Sequence, residues 1–226
     1  MGKRYFAIYW IWIITCLCPL RGAAQQVVKP LKNEFQFSTG LNSYLAFEFE
    51  PSYSYRLLKN IGIVGSIRAV TEVVENLHYD LVGGLTYQWR ISRKEKAAVL
   101  LFRPALRFKF PLVSDCLFIT MEPGLLINPI PDETLEFASI NTETFEIPSN
   151  YKTVKNKGGR VFFYEVKNYL ALTVDNWSLL AGYNLSTYDL YSGRRNIVIE
   201  GDLLNKHLTS KKAFCHTGFI GIGYSF

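Results

Sequence analysis

Ionisable side chains recur at even spacing along this chain. Glu48 and Glu50 lie two apart, Arg103 and Arg107 four apart, and Lys109 two further on. Arg56, Arg68, Asp80, Arg90, Glu122, Glu165 and Lys167 sit in stretches with the same alternation. Both signs occur on consecutive stretches. If these side chains share an enclosed space, they can neutralise one another, because an unpaired buried charge is costly. If the space is open, Arg103, Arg107 and Lys109 on one face would favour small anions. Catalytic chemistry is not legible. Of the three histidines, His78 and His207 lie in turn or loop sequence. His216 is followed by Thr217, which a strand would point to the opposite face. No nucleophile can be joined to a base and an orienting acid, so no catalytic residue is assigned. The four cysteines and three histidines show no metal-ligand or CxxC spacing, so neither metal nor cofactor is called for.

What would position these charges is a set of strands. Leu45, Phe47, Phe49, Pro51, Tyr53, Tyr55 and Leu57 alternate with Ala46, Glu48, Glu50, Ser52, Ser54 and Arg56. The same period of two, apolar against polar or small, runs through 61–68, 79–90, 100–110, 116–127, 162–174, 177–186 and from about Phe214 to the last residue. A shorter first segment, Glu34 to Leu41, places Phe35 and Phe37 on one face and Glu34, Gln36 and Ser38 on the other. Asn168 is the single polar residue on the apolar face of its strand. Period alone does not say which face is inside. A soluble barrel or sandwich would bury the apolar face, and a membrane barrel would show it to lipid. Strand lengths near the roughly 9–11 residues that cross a bilayer, aromatics near strand ends and a charged polar face favour the membrane version. The expected fold is therefore all-β, an antiparallel transmembrane barrel.

Nine clear segments conflict with the even count of bacterial barrels. Ten strands are favoured, with the tenth in Glu133 to Ile147; eight is the alternative. The ten-strand version makes Leu58–Asn60, Ser92–Lys96, Asn128–Asp132 and Asp175–Asn176 periplasmic turns. It puts Pro148–Gly159 and Leu190–Ala213 outside. Tyr151–Arg160 carries Lys152, Lys155, Lys157 and Arg160 with no acid, and Leu190–Ala213 carries Arg194, Arg195, Lys206, Lys211 and Lys212. Such loops would meet the phosphates of lipopolysaccharide or simply be solvated.

Lys3 and Arg4, the uncharged run Tyr5 to Leu20 and the small residues Gly22-Ala23-Ala24 read as a secretory signal over 1–24. Residues 25–226 then form one barrel domain. Losing Lys3, Arg4 and Arg21 lowers the net charge from +6 to +3, a bias too mild to call for nucleic acid. No apolar run after residue 24 is long enough for a spanning helix.

The stretches Met121–Leu126 and Gly182–Ile197, with Gly221-Ile222-Gly223-Tyr224-Ser225-Phe226, resemble small outer-membrane β-barrel proteins of Bacteroidetes-type bacteria. A closing strand with Tyr224 and Phe226 is similar to the signature read by the barrel assembly machinery of that family. The resemblance implies the outer membrane as location, and lipid, lipopolysaccharide and the assembly machinery as partners. It implies no catalytic or ligand residues. The functional expectation is a structural or surface-interaction barrel with a charge-plugged lumen. A minor porin is the alternative, and a lipid-modifying enzyme the weakest reading.

Overall fold

A computed structural model describes residues 32–73, 87–91, 97–113, 116–141, 151–156, 158–199 and 201–226. Eight strands close on themselves: β1 (Asn33–Asn42), β2 (Ala46–Leu58), β3 (Ile61–Glu72), β5 (Ala98–Val113), β6 (Leu117–Ile127), β9 (Phe162–Val174), β10 (Trp177–Ser186) and β13 (Cys215–Ser225). Each pairs antiparallel with its neighbours in that order. Closure is made by β1 against β13, from Glu34 opposite Ser225 to Asn42 opposite Thr217. The N–H of Asn33 donates to the carbonyl of Phe226, and the N–H of Phe226 to the carbonyl of Asn33, at 3.2 and 2.9 Å. A closed sheet leaves no strand edge, which is the condition for a β-structure in hydrocarbon.

The burial pattern settles which face is inside. Along β2 from Ala46 to Tyr55 the charged and small residues are buried and the aromatics exposed, by turns. Phe37 and Ile220 are 41% and 66% exposed, whereas Glu50 and Arg103 are 3% and 1%. This inversion is that of a lipid-facing barrel. At the periplasmic rim, Trp177 packs on Tyr224 with ring centroids 4.9 Å apart, and Tyr224 stacks on Phe226 at 6.3 Å. Beside them, the Tyr53 hydroxyl donates to Asn33 Oδ1 at 2.7 Å. These rings form a girdle at the interface, where an apolar body and a polar tip are both accommodated.

The strand count is the alternative eight, and the favoured ten is corrected. Glu133–Asn141 is a strand (β7), but it lies outside the barrel, between β4 (Tyr87–Ile91) and β8 (Tyr151–Asn156) in a separate three-stranded sheet. A two-residue pair, β11 (Val198–Ile199) with β12 (Asp202–Leu203), lies in the connection from β10 to β13. The expected barrel strand over 79–90 survives only as β4 in the outer sheet, and 79–86 lie outside the described residues. Asn33 and Phe226 lie at the end that carries the short turns Lys59–Asn60 and Asp175–Asn176, which is the periplasmic end of such a barrel, so β3 runs outward and β5 runs back. The chain therefore leaves β3, β6 and β10 and re-enters at β5, β9 and β13 on the outer side. Asn128–Asp132 is not a periplasmic turn, and Ser92–Lys96 falls outside the described residues. The signal over 1–24 also lies outside them. The short turns at Lys59–Asn60 and Asp175–Asn176 are periplasmic. The outer connection from β1 to β2 is a tight one: Asn42 Oδ1 accepts from the N–H groups of Tyr44 and Ala46 at 2.9 and 3.1 Å, holding Leu45 at a φ of 57°.

Replacing Ile220, mid-strand on the lipid face of β13, by Arg should cost about 2–4 kcal/mol of folding stability in phospholipid vesicles. The urea midpoint reads this; no change would contradict a lipid-facing Ile220.

Candidate functional site

The lumen is the site, and period two fills it. Inward positions on β1, β2, β3, β5, β6 and β9 bring Arg68, Arg103, Arg107, Lys109 and Lys167 together with Glu34, Glu48, Glu50, Glu122 and Glu165. The two signs balance, five against five.

Arg68 is the hub of the outer half. Its Nε and Nη2 donate to Glu50 Oε2 at 2.9 and 2.6 Å, and its Nη2 also to Glu165 Oε1 at 2.7 Å. Glu48 Oε2 stands 3.4 Å from its Nη1. Glu48 is held in turn by Asn42 and Thr217, which donate to Oε1 at 2.9 and 3.1 Å. Arg103 is the link to the next layer, with its Nε 2.6 Å from Glu165 Oε1 and its Nη1 donating to Glu122 Oε2 at 3.0 Å. Arg107 completes the chain. Its Nε donates to Glu122 Oε1 at 2.6 Å, its Nη1 to Glu34 Oε2 and Ser54 Oγ, and its Nη2 to Gln36 Oε1. The Tyr169 hydroxyl donates to Glu122 Oε1 at 2.7 Å. Lys167 Nζ donates to Ser38 Oγ at 3.1 Å, lies 3.4 Å from Glu50 Oε2, and sits 4.4 Å from the centre of the Phe219 ring.

Of the lumen residues expected from the sequence, one is placed elsewhere and one sits at the edge of the bore. Arg90 belongs to β4 in the outer sheet, because its strand never enters the barrel wall. Arg56 is inward but half-buried at the periplasmic end of β2. Asp80 lies outside the described residues. Glu34, which the sequence pattern turns inward without marking it as part of a network, is a full member. So is Tyr169, whose phenol the charge pattern could not reveal.

Apolar clusters pack against the network. Beside it, on the wall made by β6, β9, β10 and β13, Tyr169, Ala171, Leu180 and Phe219 cluster, with Phe118 against them. Gly182 makes room for this cluster, since a Cβ there would lie 2.4 Å from Tyr169 Cβ and 2.8 Å from Phe219 Cζ. On the outer side a larger cluster spans the mouth. The rim gives Ala46, Val70, Leu101, Leu126 and Phe163; β7 gives Leu135 and Phe137. The β10–β13 connection gives Tyr188, Leu190, Tyr191, Ile197, Ile199 and Leu204. Glu72, on the rim, accepts from the Tyr191 hydroxyl at 2.6 Å and from the Ala97 N–H at 3.2 Å, tying two outer connections to β3. Arg194 Nε donates to Glu133 at 2.8 Å, and Asn156 Nδ2 to the carbonyls of Gly193 and Arg195 at 2.8 and 2.6 Å. These bonds fasten the β10–β13 connection to β7 and β8.

His216 faces outward on β13, where its Nδ1 bonds the Tyr183 hydroxyl. Thr217 faces inward on Glu48. His207 Nε2 pairs with Asp202 at 2.9 Å in the outer connection. Cys215 is buried at the rim with a free thiol. Among the described residues no cluster of three or more metal-ligating side chains occurs.

No protein-family model and no curated protein matches this sequence. Solved structures do resemble it. A major outer membrane protein from Thermus thermophilus aligns over 88% of this chain and 100% of its own, at 12% identity and a TM-score of 0.51. The N-terminal β-barrel domain of Pseudomonas aeruginosa OprF aligns over 87% and 99%, at 12% identity and a TM-score of 0.43. The first likeness establishes the fold as that of an outer-membrane β-barrel.

Glu122→Gln leaves Arg107 with Glu34 as its remaining carboxylate, and should lower unfolding free energy by about 3–5 kcal/mol. Lys155→Ala removes a pair at 3.9 Å in which Lys155 is 57% exposed, and should stay within about 0.5 kcal/mol. Urea titrations of the two variants in vesicles compare them directly. In the outer turn, burial pushes the Tyr44 hydroxyl up to about 12. The unfolded chain ionises near 10, so between these values it gives up the proton first and stability falls as pH rises. Tyr44→Phe should flatten that fall; an unchanged slope would remove Tyr44 from the account.

Proposed function

We propose that this chain is an integral outer-membrane barrel with a closed lumen, acting as a structural element and presenting a folded surface to the exterior. The observation that carries this reading is the filling of the lumen. A charge-balanced network with an apolar cluster beside it fills the bore, and an apolar cap covers the outer mouth, in a barrel whose bore is scarcely wider than its side chains. Arg103 and Arg107, which an anion pathway would present to solute, are each engaged by two or more carboxylates. Lipid and lipopolysaccharide are the partners that the exposed belt and the outer cations suit, and β13 is the strand offered to the assembly machinery through Tyr224 and Phe226. The attribution to Bacteroidetes-type bacteria belongs to this proposal and rests on Met121–Leu126 and Gly182–Ile197.

The test is conductance. Purified protein inserted into a planar bilayer should give no discrete current steps. Anion-biased steps would replace this reading with a minor porin. The proposal assigns no catalytic role, so deletion of the gene should leave the lipid A mass profile unchanged. A lost or gained acyl chain would mean an enzyme.

A further inference from the structure

The cations in the lumen are paired, and some of those outside are not. Arg160 and Lys211 come from different outer connections, the first just before β9 and the second just before β13. They line one cleft of about 110 Å³, together with Ser192 and the Asp189–Arg195 pair. Arg160 is held in place: its Nε donates to the Phe162 carbonyl at 2.8 Å, and its guanidinium lies 5.3 Å from the centre of the buried Phe163 ring. Its two terminal nitrogens make no hydrogen bond among the described residues, and neither does Lys211 Nζ. Asp189 does not offset them. Its two oxygens accept from Nε and Nη2 of Arg195 at 2.5 and 3.0 Å, a bidentate pair that is internally neutral. The Asn156 bonds to the Gly193 and Arg195 carbonyls hold the far wall, so the cleft is framed before any ligand arrives.

We propose that this cleft binds a phosphomonoester, with the Arg160 fork and the Lys211 ammonium taking its oxygens and Ser192 Oγ adding a hydrogen bond. The cleft has room for one terminal phosphate. Two cations of different geometry, a planar fork and a point charge, match a dianion with three free oxygens better than a carboxylate. The cleft also lies at the right depth. Arg160 is bonded to the backbone of Phe162, a lipid-facing residue at the outer end of β9 that is 56% exposed. The cleft thus opens immediately above the hydrocarbon, where outer-leaflet headgroups lie. The favoured source is a phosphorylated sugar of a lipid headgroup, and that choice of source rests on the outer-membrane reading above.

The experiment uses the full-length protein in detergent micelles. Native mass spectrometry measures retention of diphosphorylated lipid A and of lipid A stripped of its phosphates, and calorimetry measures binding of inorganic phosphate. Wild type should retain the phosphorylated form over the stripped form. Arg160→Gln and Lys211→Gln should each weaken retention roughly tenfold, the loss of one charge-assisted hydrogen bond. Lys206→Gln, whose ammonium already pairs with Asp202, should change nothing. Binding of inorganic phosphate as well would support the site and widen its source to soluble phosphomonoesters. Equal retention of both lipids without phosphate binding, no binding of any probe, or unchanged affinity in the Arg160→Gln/Lys211→Gln double variant would each overturn it. Heat-modifiable migration on gels confirms that the variants are folded. Conductance tests the closed lumen separately, so a failure of that reading is not mistaken for a failure of this one.

Discussion

Glu122 shows what the rest of the barrel depends on. Its carboxylate is 1% exposed and takes hydrogen bonds from Arg103, Arg107 and Tyr169 at once. A barrel that gives most of its apolar side chains to lipid has a largely polar centre, and a polar centre without bulk water must neutralise itself. Shared acceptors accomplish this. Glu122 and Glu165 each serve two arginines, and Glu50 serves Arg68, Arg103 and Lys167. The bonds cross between strands far apart in sequence: Arg68 and Glu165 are 97 residues apart, Arg107 and Glu34 73. Each such bond is satisfied only in one register of the closed sheet. A slip by one residue on any strand would turn its charges to lipid and its aromatics into the bore. The network therefore fixes the register alongside the backbone ladder.

The outer cap follows different rules. Its residues obey soluble packing, with Leu135 and Phe137 of β7 fully buried and the polar residues of that strand more exposed. Two structural logics thus meet at the rim, where Glu72, Val70 and Leu101 touch both. Glu72 is the joint: its backbone completes β3, and its carboxylate receives bonds from the connections that begin and end the cap.

The sequence announces the first logic far better than the second. Alternation in β2, β5, β6, β9, β10 and β13 is legible because each strand shows one face to a uniform solvent, lipid, along the whole of its length. It also sorts Glu48, Glu50, Arg68, Arg103, Arg107, Glu122, Glu165 and Lys167 inward correctly. Partners are not legible, because they depend on closure. The error in strand count has a physical cause too. Period two marks a strand but not the sheet it joins, and β4 and β7 alternate as any half-buried strand does. The segments 79–90 and Glu133 to Ile147 are as long in the sequence as the strands of the barrel wall, so length did not tell them apart either. The apolar residues of the β10–β13 connection carry no period at all, so a cap built from them left no pattern to read.

The distribution of cations links the two logics to what the molecule can offer a partner. Inside, every arginine of the network is bound by carboxylates, and exchanging any of those bonds for a ligand would strand a charge in a low-dielectric bore. Outside, a cation keeps its hydration and can trade water for a ligand oxygen at little cost. Recognition is therefore pushed to the surface by the same requirement that closes the lumen. The interior spends its charges on one another, and the cations left uncommitted, such as Arg160 and Lys211, stand at the rim.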